Sequence, residues 1–309
     1  MKAKPFLKWA GGKTQLLSQF EQFFPSTLRQ QQCQKYVEPF VGSGAVFLAL
    51  MQKFAIKTAY ISDRNADLIL AYQVIQQRVD TLADFLERYQ QRYDAAPAEE
   101  RKPLFLELRR QFNVQRSEIN YQTFAENWIP RAAQLIALNK TCFNGLFRRN
   151  AKGEFNVPPG DYARPKILDL PNLQAVSKLL QATEIRCADY TACRDYVDAH
   201  TFVYFDPPYR PLTATASFTT YTGDVFDDVQ QRRLALFFRE LDQEKQAQFM
   251  LSNSDPQNAD PADRFFEELY AGYHLYRVAA ARMINSNGQK RGAIKELVIT
   301  NYPYEPPTA

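Results

Sequence analysis

The sequence is short of several things that whole classes of protein depend on. Its 309 residues include four cysteines and two histidines. Cys33, Cys142, Cys187 and Cys193 form no C-x-x-C pair, and His200 and His274 are the only imidazoles available to join them. This argues against a disulfide framework and a structural zinc site, and no metal site is expected. No run of about 18 apolar residues occurs, so no membrane span is expected. Met1-Lys2-Ala3-Lys4-Pro5 passes at once into Phe6-Leu7-Lys8-Trp9, without the apolar stretch of a secretory signal. A reducing, cytoplasmic setting is the resulting expectation. There is no internal repeat and no long low-complexity linker. An excess of one charge is missing too: 38 Lys and Arg against 34 Asp and Glu leave a net +4, a weak argument by itself for an acidic partner.

A core is well provided for. The chain is 45% hydrophobic, enough for one large domain or two ordinary ones. Aromatics make up 14%, including 17 Tyr, a supply compatible with base stacking. Basic residues gather with aromatics in Leu146-Phe147-Arg148-Arg149-Asn150-Ala151-Lys152. Distribution of this kind says more about nucleic acid than the net charge does.

Three zones differ in pattern. In residues 1–65, strand-like pieces at 35–38 and 60–63 flank the apolar helix-like piece 45–51, the β-α-β rhythm of a parallel sheet. Residues 66–165 are mostly helical. Leu68, Ile69, Tyr72, Val74, Ile75, Val79, Leu82 and Phe85 form one stripe. Leu104, Phe105, Leu108 and Phe112 form a second; Trp128, Ala132, Leu135, Ile136 and Asn139 form a third. The helices stop at Asn144-Gly145, and 147–157, with Lys152-Gly153 in its middle, reads as a β-hairpin closed by Pro158-Pro159-Gly160. Residues 166–309 resume the α/β rhythm, with strands at 201–205, 248–252 and 296–300 and helices at 228–241 and 261–271. The outer zones are expected to build one sheet, with the helical zone inserted at its ligand-binding edge.

Three motifs carry chemistry. Asp206-Pro207-Pro208-Tyr209 follows the apolar strand 201–205 directly, where open α/β sheets bind ligands. Two prolines fix the backbone, leaving a carboxylate, a carbonyl and an aromatic ring in rigid array. That set suits a planar amine: Asp206 and the Pro207 carbonyl could accept the two N6 hydrogens of an adenine, and Tyr209 could stack on the ring. In isolation, a proline turn capped by Asp206 would look the same.

Glu38-Pro39-Phe40-Val41-Gly42-Ser43-Gly44 lies between a strand and a helix, where glycines let the backbone approach a ligand. A nicotinamide fingerprint needs a third glycine at Phe47 and lacks it. Asp63 ends the next strand, a position suited to a ribose hydroxyl pair. Phe6-Leu7-Lys8-Trp9-Ala10-Gly11-Gly12-Lys13-Thr14 invites an ATP-binding reading, but a Walker loop needs glycine where Leu7 stands. Lys13, starting a helix expected from Thr14, suits the carboxylate of a cofactor instead.

In this order, Lys8-Trp9-Ala10-Gly11-Gly12-Lys13, the 38–44 motif and Asp206-Pro207-Pro208-Tyr209 resemble the Dam-like family of DNA adenine N6-methyltransferases (GATC-type, D12 class). So do 138–146 with Gly153-Glu154-Phe155-Asn156-Val157-Pro158, Ser217-Phe218-Thr219-Thr220-Tyr221, and 282–292 followed by Glu296-Leu297. The resemblance spans nearly the whole chain, with the helices around 66–120 its least diagnostic part.

It implies a Rossmann-like S-adenosylmethionine-dependent catalytic domain from 1–65 and 166–309, with a target-recognition domain at 66–165. Asp206, Pro207, Pro208 and Tyr209 would be catalytic. Trp9, Ala10, Gly11, Lys13, Glu38, Pro39, Phe40, Gly42, Ser43, Gly44, Asp63, Asp189, Tyr190 and Asp206 would surround S-adenosylmethionine. Lys8, Phe143, Asn144, Leu146, Arg148, Arg149 and Pro158 would contact double-stranded DNA, with Arg148 reading a guanine and Phe143 filling the gap left by a flipped base. GATC is the implied target, with a longer site such as GATATC, or methylation of RNA or protein, as alternatives. A monomer is the simplest expectation.

Overall fold

The computed structural model describes residues 2–211, 226–280 and 294–306. The resembling stretches at 217–221 and 282–292 lie outside these residues.

Seven strands form one sheet in the order β3-β2-β1-β4-β5-β7-β6. They are β1 (Lys35–Glu38), β2 (Thr58–Asp63), β3 (Thr183–Cys187), β4 (Thr201–Phe205), β5 (Gln248–Ser254), β6 (His274–Ala280) and β7 (Ile294–Thr300). Neighbours from β3 to β5 pair in parallel, and β7 runs antiparallel between β5 and β6. β4 is buried along its whole length, the mark of a central strand covered on both faces and the reason its sequence is an unbroken apolar run.

The helices are α1 (Leu17–Phe20), α2 (Ser26–Arg29), α3 (Ala45–Lys53), α4 (Ala66–Ala95), α5 (Ala98–Val114), α6 (Trp128–Thr141), α7 (Leu170–Leu180), α8 (Asp228–Lys245) and α9 (Phe265–Leu269). One apolar layer joins α3, α4, α6 and α7 over one face of the sheet and runs on into α5. The other face is covered by Leu234, Phe237, Phe238 and Leu241 of α8 and Phe266 of α9.

The three stripes read from the sequence become α4, α5 and α6. α4 is capped by the Asn65 side chain, which accepts from the Leu68 amide at 3.2 Å, and breaks its helical geometry at Arg78 (φ −143°, ψ 40°). Its first half lies on the sheet layer, where Gln73 donates to the Ile185 carbonyl at 3.1 Å and Gln76 to that of Thr183 at 2.9 Å.

Several local expectations differ from the structure. No continuous helix runs from Thr14; a 3-10 turn at Lys13–Gln15 precedes the single turn α1. The helix expected at 261–271 shortens to α9, because Asp260 and Asp263 side chains cap turns ahead of it. The 147–157 segment is hairpin-shaped but has no strand ladder: one isolated antiparallel bridge, Arg149 to Phe155, joins its arms, with side-chain hydrogen bonds from Arg148 to Asn156 and from Asn150 to Glu154.

Strand order reverses between β1 and β4, so the crevice at their carboxyl ends is a topological switch point. Glu38 ends β1, Asp63 ends β2, and Asp206 follows β4. Because β7 is antiparallel, its beginning meets the end of β5, with Ser254 opposite Glu296. Topology alone therefore gathers these acids on one edge.

Candidate active site

Asp206 is the centre of this edge, with 18% of its side-chain surface open. Lys13 Nζ lies 2.7 Å from its Oδ1, and Ser252 Oγ donates to the same oxygen at 2.9 Å. Ser252 shares a 2.7 Å hydrogen bond with the Tyr204 hydroxyl. Burial raises the Asp206 carboxyl above its ordinary range, and the Lys13 ammonium opposes that rise. Lys13 is itself buried, donates to the Gly11 carbonyl at 2.8 Å, and stands 4.5 Å from the centre of the Tyr209 ring. The structure thus places Lys13 on Asp206, whereas its position at an expected helix start had suggested the carboxylate of a cofactor. Tyr209 is fixed by its hydroxyl, which donates to Glu296 at 2.7 Å. Pro207 is buried and Pro208 exposed, with the Pro208 carbonyl accepting from Gln231 at 3.0 Å.

The turn after β1 is equally constrained. Glu38 and Pro39 are buried, and Glu38 accepts from the Tyr36 hydroxyl at 2.7 Å. Burial pushes the Glu38 carboxyl well above its usual range despite that bond. Gly42 has φ +46°, and a Cβ there would lie 3.1 Å from the Trp9 ring. Gly44 has φ +69°, and its Cβ would meet the Tyr72 hydroxyl at 2.5 Å. That hydroxyl donates to the Gly42 carbonyl at 3.1 Å. Asp63 accepts from the amides of Gly42 (3.2 Å) and Asn65 (2.9 Å), which brings the ends of β1 and β2 together; burial raises its carboxyl and these amides oppose the rise. Ser43 is buried beside them, whereas Ala10 and Gly11 are more open. Beyond β3, Tyr190 stacks on Phe40 with ring centres 5.3 Å apart, and its buried hydroxyl has no partner. Asp189 caps the following turn through the Thr191 amide and meets Arg233 at 3.4 Å.

Trp9 joins this turn to the helical zone by stacking on Phe147, 5.3 Å between centres and 20° from parallel. Lys8 is held by Asn139, which accepts from its amide and donates to its carbonyl, both at 2.9 Å. Asn139 also donates to the Gly145 carbonyl at 2.8 Å. Phe143 is half exposed (50%), and Asn144, at φ +54°, stands out beside it. Leu146 is partly buried; Arg148 and Pro158 are exposed. Arg148 Nε donates to Asn156 at 2.9 Å. Arg149 turns inward, pairing with buried Asp67.

Comparison with known proteins settles the family. Residues 9–284 match the family described as D12 class N6 adenine-specific DNA methyltransferase. The chain belongs to that family. It is 48% identical over 303 residues to the type II methyltransferase M.MjaIII of Methanocaldococcus jannaschii, covering 98% of this chain and all of the relative. It is 33% identical to the DNA adenine methylase of Haemophilus influenzae, covering 96% of this chain and 93% of that one. The D12-class enzyme described here is therefore an adenine-specific DNA methyltransferase. Among its described residues no group of His, Cys, Asp and Glu is arranged to hold a metal, and no helix is long and apolar enough to cross a membrane.

Ser252 and Tyr204, which brace the Asp206–Tyr209 motif, were not singled out in the sequence, and Glu296 stood there only in a resembling stretch, without the bond it makes to Tyr209. Ser252 and Glu296 stand at the ends of strands the sequence does show, so strand-end polarity was the available signal.

Proposed function

We propose that the enzyme takes its methyl group from S-adenosylmethionine and places it on N6 of adenine in duplex DNA, within GATC. The observation that carries this reading is the position of Trp9. Its ring packs against the Gly42 turn and stacks on Phe147 of the arginine-bearing segment. On this reading a cofactor cradle and a base-reading element share one wall.

The cradle fits S-adenosylmethionine. Asp63 would hold the ribose hydroxyls, and Tyr190 and Asp189 would flank the adenine, with Phe40 against Tyr190. The unpartnered Tyr190 hydroxyl and the close packing at Gly42 suit a planar, polar-edged guest. When bound, the cofactor supplies an electrophilic methyl group on a sulfonium, so the chain need provide no nucleophile. Cys33, Cys142 and Cys193 are buried, and burial raises all three thiols, which agrees with structural roles.

The lone pair of adenine N6 is delocalised into the ring. Accepting both N6 hydrogens localises it, and a fixed acceptor pair costs little reorganisation. Lys13 and Ser252 both reach Asp206 Oδ1. Oδ2 is the oxygen assigned to one amine hydrogen, and the Pro207 carbonyl takes the other. Tyr209 would stack on the flipped base, and half-exposed Phe143 would fill its place in the duplex. Arg148, exposed on the segment, would take guanine O6 and N7, with Asn144, Leu146, Pro158 and Lys8 on neighbouring positions.

The test is methyl transfer from labelled S-adenosylmethionine to a GATC duplex and to a matched duplex with that adenine replaced by thymine in both strands. Label recovered as N6-methyladenine from the first duplex alone is the expected result. Equal incorporation into both, or methylation only at a longer site such as GATATC, would overturn the GATC assignment.

A further inference from the structure

The segment that carries Arg148 has almost no ladder of its own, yet it is tied down from two helices. Successive residues of an extended segment face opposite sides. Phe147, Phe155 and Val157 are buried, Arg149 points the same way, and Arg148 and Asn156 stand on the other side. Arg149 NH2 pairs with Asp67 Oδ2, near the start of α4. The same carboxylate takes Arg131 of α6 through two bonds of 2.9 and 3.1 Å and the Tyr121 hydroxyl at 2.7 Å. Burial alone would raise the Asp67 carboxyl; Arg131 and Arg149 outweigh it and hold it below its ordinary range. The return arm is clamped from α5 and the turn that follows it. Asn113 donates to the Phe155 carbonyl at 3.0 Å and accepts from the Phe155 amide at 2.8 Å. Arg116 donates to the Gly153 carbonyl at 2.9 Å and Arg109 to that of Val157 at 3.2 Å.

We propose that Arg149 is a positioning residue for base recognition: its pair with Asp67, opposite the Asn113 clamp, fixes the facing of the 147–157 segment so that Arg148 points outward. This rests on the reading of Arg148 as a base contact. The alternation explains why two adjacent arginines have different jobs. One faces out from the segment, and the other is anchored below it, four residues along from Asp63. Arginine suits the anchor because its fork serves an ion pair and a ring at once; the Arg149 guanidinium also lies 5.2 Å from the Phe147 ring centre.

Arg149→Met tests this. It keeps much of the apolar stem and leaves Asp67 paired with Arg131 and Tyr121, so the fold is expected to survive; a thermal melt checks that. The native enzyme, Arg148→Ala, Arg149→Met and the double variant are compared by kcat/KM on the duplex methylated best and on duplexes with single base-pair changes. Arg149→Met is expected to lose about tenfold in discrimination, at the position where Arg148→Ala loses it. The double variant is expected to discriminate no worse than Arg148→Ala. Amide hydrogen exchange in 147–157 is expected to speed up, and the salt dependence of binding to stay unchanged. Arg149→Lys, which keeps the charge without the fork, is expected to recover part of the discrimination. A uniform loss of affinity with a salt slope reduced by about 1 would make Arg149 a phosphate contact and overturn the proposal. Unchanged exchange in the segment would also overturn it. Should Arg148→Ala discriminate like the native enzyme, the base-reading assignment falls, while the exchange measurement still decides whether Arg149 holds the segment.

Discussion

Asp206 follows a strand hydrogen-bonded on both sides, by β1 and β5, whereas Arg148 stands beside a single isolated bridge. At the strand edge the backbone is fixed by the sheet, and side chains are free to adjust charge: Lys13 and Ser252 at Asp206, Tyr36 at Glu38. In the 147–157 segment the relation is reversed. Side chains of Arg149, Asn113, Arg116 and Arg109 hold the backbone, and outward residues are free to vary. Chemistry that never changes suits a frame whose backbone is set by the sheet. A reading surface suits a frame that can be retuned by one anchor without disturbing the sheet.

The sharpest way to break this comparison is at its rigid end. Asp206→Ala is expected to abolish methyl transfer while S-adenosylmethionine binding, followed by calorimetry, survives at least in part. Normal turnover would remove Asp206 from the role given to it. Next in size is the anchor of the other region. Asp67→Asn leaves Arg131 buried without its counter-charge, expected to cost about 3–5 kcal/mol of stability in denaturant unfolding. A pH series adds the sign. The folded Asp67 carboxyl lies below its unfolded value of about 3.9. The unfolded chain therefore binds the proton more readily, and the stabilisation is full above that value. It is lost as pH falls through the folded value, a loss the Asn variant should not show.

Smaller and more selective is Arg148→Ala. It is expected to weaken discrimination at one guanine by about 1–3 kcal/mol, with the melting temperature unchanged, because the side chain is exposed. Equal weakening on every duplex would make Arg148 a phosphate contact, and the two regions would then differ in rigidity but not in what they recognise.

Much of this was legible in the sequence, for reasons that differ by place. Strands β1 and β4 could be read to the residue because both are punctuated by an acid and a proline, Glu38-Pro39 and Asp206-Pro207, and β4 is buried throughout. β3 (Thr183–Cys187) could not, since an edge strand bearing Glu184 and Arg186 has no apolar run. Helices α4 to α6 showed as stripes, but the burial of Asp67 under two guanidiniums did not. A charged residue early in a helix reads as a first-turn acid, and its partners lie 64 and 82 residues away in sequence. For the same reason Arg149 read as a DNA contact like its neighbour. Alternation along the segment was the available clue, and it needed the Arg149 to Phe155 register to be used. Lys13 was visible as a helix-start cation; that it meets Asp206 depends on the β1–β4 crossover.

The smallest expected effect lies where the Asp206–Tyr209 motif leans on β7. Tyr209→Phe keeps the ring proposed to stack on the base and removes only the hydroxyl that donates to Glu296. Burial already raises the Glu296 carboxyl, and the Tyr209 hydroxyl opposes that rise. Losing the donor leaves a buried acceptor short of a partner, a cost of about 1 kcal/mol, expected as a several-fold fall in kcat with KM for DNA little changed. Tyr209→Ala removes the ring as well and is expected to raise KM. If Phe and Ala behave alike, the ring does no stacking and the residue serves only to brace the turn. A fully active Phe variant would instead show that β4 and its two prolines hold Asp206 in place without help from β7, making the rigid region more independent of its side chains than the hairpin can be.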